Sequence, residues 1–214
     1  MELGIEEGGL RVAESLLMAR YFMYAQVYLH DIRVVYDIHL TDFMREWLTR
    51  KGKRGKSLMD SLLTLTDDEV LVAMRKAKRS RDKRLRALAA RFVDRQHFRC
   101  VYSLSPADCK WEGEEPLPPD SVVNRIHESL AQEFRKDAVR SLWEVEDIVT
   151  SFLILKENGS VSGAVDESEL LRTLQGKPLK VGYVFLAPEY CDAQDKRQKV
   201  NEIIKSTIAS IADE

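Results

Sequence analysis

The 214-residue chain is 44% hydrophobic with a formal net charge of −2, enough apolar material for a substantial core in one domain or two small ones. No stretch approaches the roughly 20 apolar residues that span a bilayer, and the opening MELGIEEGG is acidic and Gly-rich, unlike a signal or transit peptide, so a cytoplasmic protein with no membrane partner is predicted. Three widely spaced cysteines without a CxxC pair argue against a disulfide framework or a cysteine zinc site and leave reduced thiols as the simpler reading.

Residues 1–10 lack periodicity, and Gly4 with Gly8-Gly9 reads as a turn in a loop severed from preceding material. Residues 13–40 follow as a nearly continuous helical pattern rich in aromatics. Leu16, Leu17, Arg20, Tyr21, Tyr24, Tyr28, Ile32, Val35 and Ile38 recur at three- and four-residue spacing, a broad stripe predicted to form the core. Arg20 therefore sits among apolar neighbours. A guanidinium there is costly to desolvate unless it meets an anion, either a carboxylate of the same fold or a phosphate of a ligand.

A second helical stretch, 31–50, continues the first with a bend near His30 and has Phe43, Met44, Trp47 and Leu48 in its apolar set. KGKRGK at 51–56 reads as an exposed loop. A short helix is predicted at 57–65, and Thr66-Asp67-Asp68-Glu69 is a capping box that starts the next, with Val70, Leu71, Val72 and Met74 on its buried side. Leu85, Leu88, Ala89, Phe92 and Val93 mark one face of a helix at 81–94. Residues 50–99 hold 16 basic residues against 6 acidic ones. Such a block marks an anionic partner or a face attracted to the acidic remainder of the molecule.

The first convincing strand is HFRCVYSL at 97–104. An acidic, Pro-rich loop at 108–119 leads to a helix at 121–139 capped by Asp120, and then to a polar connection. A strand at 148–156, a Glu157-Asn158-Gly159 turn and a partner at 160–164 read as a hairpin. A short helix at 168–174, a strand at 179–186 and a closing helix at 195–211 complete an α+β chain. Its N-terminal half, 1–96, is mainly helical; 97–214 is a small antiparallel sheet with packed helices.

The run AESLLMARYFMYAQVYLHDIR resembles the segment that follows the metal site in HD-domain phosphohydrolases of the deoxynucleoside triphosphate triphosphohydrolase type. The family reads roughly E-x-x-x-x-A-R-Y-x-M-Y-x-x-V-Y-x-H-x-x-x-R; Glu14, Ala19, Arg20, Tyr21, Met23, Tyr24, Val27, Tyr28 and His30 match it, with Arg33 one place early. TDDEVL, the L-x-x-L-A-x-R-x-x-x-R helix, RQHFR and the late KVGYVFLAPEY are similar to that family's C-terminal half as well. The resemblance implies that the metal-dependent chemistry lies upstream of residue 1. It also implies that the helix closes over substrate, with Arg20 pairing with the triphosphate and Tyr28 lining the sugar and base side. Tyr28 is placed roughly 12 Å further along the axis on nearly the same side. His30, Arg95 and Arg99 match residues near a regulatory nucleotide site.

An HD hydrolase needs a lone His, an adjacent His-Asp pair and a distant Asp to hold its metal. His30-Asp31 is an HD dipeptide, but no histidine precedes it and His30 matches another family position, so it is not assigned as the metal pair. His39, His97 and His127 fall in three elements without ligand spacing. The resemblance thus implies the C-terminal portion of a triphosphohydrolase-like protein, contacting nucleotide phosphates and mediating oligomerisation. Mn²⁺ or Mg²⁺ is expected only with a complete HD half, and no cofactor with this chain alone. The expected partners are a further copy or a chain carrying the HD half, and a nucleotide. The rival readings are a nucleic-acid-binding module using basic residues 75–99 and a structural interaction module.

Overall fold

The computed structural model describes residues 4–52, 55–109, 118–148 and 152–212. In chain order it contains β1 (Gly4–Glu6), α1 (Leu10–Met23), a π-helical turn (Tyr24–Tyr28), α2 (Asp31–Arg50), α3 (Gly55–Thr64), α4 (Asp67–Ala77) and α5 (Lys83–Val93). The later elements are β2 (Arg99–Ser103), α6 (Pro119–Glu133), β3 (Val139–Glu146), β4 (Leu153–Leu155) and β5 (Val161–Gly163). Then come α7 (Ala164–Glu167), α8 (Glu169–Leu174), β6 (Leu179–Leu186) and α9 (Gln194–Ala212). The class is α+β. The chain forms two compact units, Met1–His30 with Leu142–Gly182 and Asp31–Ser141 with Tyr183–Glu214. These are not the consecutive segments 1–96 and 97–214, because each unit takes early helices and late strands into one core.

In the first unit, Leu10 and Leu17 on α1 are buried against Ile154, Ala164 and Leu171, with Ile5, Phe152 and Val165 packed alongside. A three-stranded sheet in the order β1-β4-β5 underlies them. β1 runs parallel to β4, pairing Gly4 with Leu153 and Glu6 with Leu155, and β4 runs antiparallel to β5. The hairpin closes through Lys156 N to Ser160 O at 2.9 Å, with Gly159 at φ +80, a conformation glycine adopts without a Cβ penalty.

Glu14 stitches this unit together: its buried carboxylate accepts from Ser168 Oγ at 2.6 Å and from Arg11 Nη1 at 2.9 Å. Ser168 Oγ in turn accepts from Leu171 N at 3.0 Å, capping α8. The Ser168 hydroxyl, and then Arg11, hold the Glu14 carboxyl below the usual carboxylate range.

In the second unit, Phe43, Met74, Ala77 and Ala89 form a core between α2, α4 and α5. The predicted capping box is present, with Thr66 Oγ1 accepting from Glu69 N and Glu69 Oε2 accepting from Thr66 N at 2.9 Å. α6 packs on α9, burying Val122, Val123, Ile126 and Leu130 on one helix and Val200, Ile204 and Ile211 on the other. A second sheet has the order β2-β6-β3, and β2 is antiparallel to β6.

Several predicted boundaries change. Residues 1–10 are not wholly loop: Gly4–Glu6 is a strand and Glu7–Gly9 a 3-10 turn, since Ile5 finds an apolar partner far down the chain. The helix predicted through residue 139 ends at Glu133, and Val139–Glu146 is a strand rather than a polar connection. Of the broad stripe on 13–40, Leu17 and Val35 are core, whereas Leu16, Tyr28 and Ile32 are exposed. Leu71 and Val72, predicted on the buried side of α4, are exposed too. Positions 53–54 of the basic loop, 110–117 of the acidic loop and 149–151 of the predicted strand lie outside the described residues.

Candidate functional site

The first unit gathers Arg20, Tyr24 and Tyr28 into one row. α1 runs with α-helical winding to Met23 and then loosens into the π-helical turn at Tyr24–Tyr28. That turn ends with Leu29 N donating to Tyr24 O at 2.9 Å, a bond across five residues. Residues four apart meet along this row: the Arg20 guanidinium lies 5.4 Å from the Tyr24 ring centroid, and Tyr24 meets Tyr28 edge-on at 5.3 Å.

Arg20 meets a carboxylate of its own fold, Glu146, through Nη2 and Oε1 at 3.4 Å. Both side chains are part exposed, 37% and 28%. A stretched pair of this kind contributes little, at most about 1 kcal/mol, so an incoming phosphate competes for the guanidinium on favourable terms. The row thus offers a fixed cation at one end and an exposed phenol ring at the other. Sequence reasoning took Tyr24 for a core aromatic and missed Glu146. The i, i+4 spacing of Arg20, Tyr24 and Tyr28 carried a signal for the former; nothing local marks the latter, 126 residues away.

Beside this row, α1 and the π-turn expose Val12, Leu16, Met23 and Val27, at repeats of four and seven residues. Val12 is 73% and Leu16 70% exposed. A continuous apolar stripe of this kind on a helix marks an interaction surface.

His30 is exposed and lies in the non-helical link at the end of the first unit. Arg95 and Arg99 belong to the second unit. Arg95 is exposed, with a left-handed φ of 55 just past the end of α5. Arg99 is engaged by Asp192 in a forked pair, Nε to Oδ1 at 2.9 Å and Nη2 to Oδ2 at 3.3 Å. The Asp192 carboxylate raises the Arg99 pKa and is itself held low by it.

Other basic residues of the 50–99 block are also paired. Arg50 bonds Glu46 and Asp82, Arg84 bonds Glu46 at 2.9 Å, Lys78 bonds Asp94, and Arg91 bonds Glu189 at 3.1 Å. Arg75, Lys76, Arg79, Arg81 and Arg86 stay exposed on α4, α5 and the connection between them.

Among the described residues, no group of three or more His, Cys, Asp or Glu side chains could hold a metal ion. The described residues thus bring together no ligand set of the kind an HD metal centre uses. His39 is buried, and its Nε2 accepts from Phe98 N at 3.1 Å. Burial, with Arg91 nearby, pushes its pKa down to about 4, which marks a neutral structural residue. Burial also pushes the Cys100 and Cys191 thiols up, to about 12 and about 11, so neither is a ready nucleophile. No described helix is long and apolar enough to cross a membrane.

Comparisons with known proteins place this α+β architecture. The HD associated region family matches residues 1–152, most of the chain, and the chain belongs to that family. The fold is similar to that of a hypothetical protein from Aquifex aeolicus, with 22% identity and a TM-score of 0.70 over 92% of this chain and 47% of that one. It is also similar to a phosphohydrolase from Bacteroides thetaiotaomicron VPI-5482, with 20% identity and a TM-score of 0.62 over 86% of this chain and 52% of that one. The chain spans about half the length of each. Comparison with curated proteins gives no match.

Proposed function

We propose that this chain is the C-terminal portion of a deoxynucleoside triphosphate triphosphohydrolase-like protein, in which it contacts the nucleotide and mediates oligomerisation. The observation that carries the reading is the Arg20-Tyr24-Tyr28 row at the π-turn, where a part-exposed guanidinium in a stretched ion pair lies over the Tyr24 ring and Tyr24 meets Tyr28 edge-on. Arg20 takes the phosphate chain and Tyr28 the sugar and base side. Arg95 and Arg99, both of the second unit, are assigned to a regulatory nucleotide, Arg99 by exchanging Asp192 for phosphate. Mn²⁺ or Mg²⁺ belongs to a separate HD half, and the bare Val12-Leu16-Met23-Val27 stripe is the surface against which that half packs. Membership of the HD associated region family and a length about half that of the similar structures support this division of labour.

Binding of dGTP and of inorganic triphosphate to the purified chain, followed by calorimetry, tests the reading. Arg20→Ala is expected to weaken triphosphate binding about tenfold, the loss of roughly one charge-assisted contact. Unchanged affinity would remove Arg20 from the site. The exposed run Arg75, Lys76, Arg79, Arg81 and Arg86 supports a second reading, nucleic-acid binding. Repeating the titration with a DNA duplex across salt concentrations separates the two: a strip covering several phosphates gives a slope near −0.9 for each one neutralised, whereas the nucleotide gives a shallow dependence.

A further inference from the structure

Helix α3 buries none of its residues, although its sequence is amphipathic. Leu58, Met59, Leu62 and Leu63 share one face, and Met59 and Leu63 are 60% and 79% exposed. A ten-residue helix is marginal in water by itself, so its conformation needs an apolar partner. The same unit contains an apolar groove of about 680 Å³, lined by Trp47, Leu65, Val72, Ala73, Ala77 and Leu85. Its rim is polarised along α4, with Asp68 and Glu69 near the start of that helix and Lys76 at the end.

That polarity decides how a helix like α3 fits. Laid parallel to α4, α3 sets Lys56 against Asp68 and Glu69, Met59 against Val72, and Leu62 and Leu63 toward Ala77 and Leu85. Laid antiparallel, it sets Lys56 against Arg75 and Lys76 and puts Leu63 beside Asp68. Only Leu65 and Thr66 join α3 to α4, a link that reaches at most about 11 Å, while a parallel placement within one chain requires crossing the roughly 16 Å length of α4. The favourable placement is therefore closed to the chain's own α3.

We infer that α3 is an exchange arm that docks in the α2-α4-α5 groove of a second copy of this chain, each copy giving its arm and receiving the other's. Such a reciprocal contact closes on itself and yields a dimer rather than a fibre. The inference rests on the oligomerising part of the function proposed above, and names its surface.

The test is sedimentation equilibrium and light scattering on the full chain. Wild type is expected to be a dimer. Leu63→Glu on the arm and Val72→Glu in the groove are each expected to raise the dimer dissociation constant at least tenfold. Both positions are exposed in the single chain, and an unchanged circular dichroism spectrum and melting curve check that the fold survives. Lys56→Glu weakens the dimer, and Lys56→Glu with Asp68→Lys restores it. A monomeric wild type overturns both the arm and the oligomerising role. A dimer indifferent to Leu63→Glu and Val72→Glu overturns the arm and leaves the oligomerising role standing. A dimer lost in Leu63→Glu but not rescued by the paired charge reversal overturns the parallel placement between copies.

Discussion

His39 is 2% exposed, and the acceptor role of its Nε2 toward Phe98 N requires the neutral ring. An unfolded histidine takes a proton near pH 6.5, but in the fold His39 resists until about pH 4. Because its folded pKa is depressed, the stability it contributes is fully present above about pH 6.5 and is lost as pH falls through about 4. Linkage puts the part lost between pH 7 and pH 5 at roughly 2 kcal/mol. His39→Gln keeps an acceptor near Phe98 N and removes the titration. Urea unfolding of the variant is expected to weaken less than that of wild type between pH 7 and 5, the remaining loss coming from His127, whose pKa burial also lowers; parallel curves would place the titrating group elsewhere. At the same scale, Glu14 shows how a motif residue is absorbed by architecture. It heads the AESLLMARY match, yet its carboxylate serves the Ser168 cap and not the exposed row at Arg20.

Among the elements, those written in local chemistry were legible. The Thr66-Glu69 capping box, the Asn158-Gly159 turn and the strand at Leu179–Leu186 formed where the sequence placed them, and the hairpin formed over the shorter strands Leu153–Leu155 and Val161–Gly163. Thr66→Ala removes one arm of the box and is expected to cost about 1 kcal/mol in thermal or urea unfolding, because α4 carries Met74 and Ala77 into the core. A cost near zero would mean that the start of α4 frays in wild type as well. What escaped depends on distant partners. β1 exists because residues 153–155 lie beside it, and β3 departs from a helical pattern that ran smoothly through Phe134. The π-turn escaped for another reason: nothing in YAQVY distinguishes a five-residue bond from a four-residue one. Within the candidate site, the resemblance pointed to Arg20 and Tyr28, while the Tyr24 bridge needed the turn and the Glu146 partner needed the fold.

At the scale of the molecule, the first unit cannot be cut from the chain as a consecutive piece. Leu10 and Leu17 are covered by Ile154, Ala164 and Leu171, so a fragment of residues 1–96 lacks that core. Such a fragment is expected to lose hydrogen-exchange protection in α1 while retaining some in α2, α4 and α5, whose shared cluster at Phe43, Met74, Ala77 and Ala89 lies within it. Protection of α1 equal to that in the whole chain would show that its late partners are dispensable.

The parallel pairing of Gly4–Glu6 with Leu153–Leu155 also imposes a waiting time. During synthesis at about 5–20 residues per second, residues 4–17 emerge on the order of ten seconds before the strand that receives them. Throughout that interval the chain offers Ile5, Leu10 and Leu17 to whatever is nearby, together with a Val12-Leu16 face that its own later residues leave exposed. Meanwhile the short-range contacts of α2, α4 and α5 are complete by residue 93, and low contact order lets them assemble quickly. The helix that carries Arg20 is therefore made well before its late partners and is among the last of these elements to be sheltered, which makes it the natural client of a chaperone on the emerging chain.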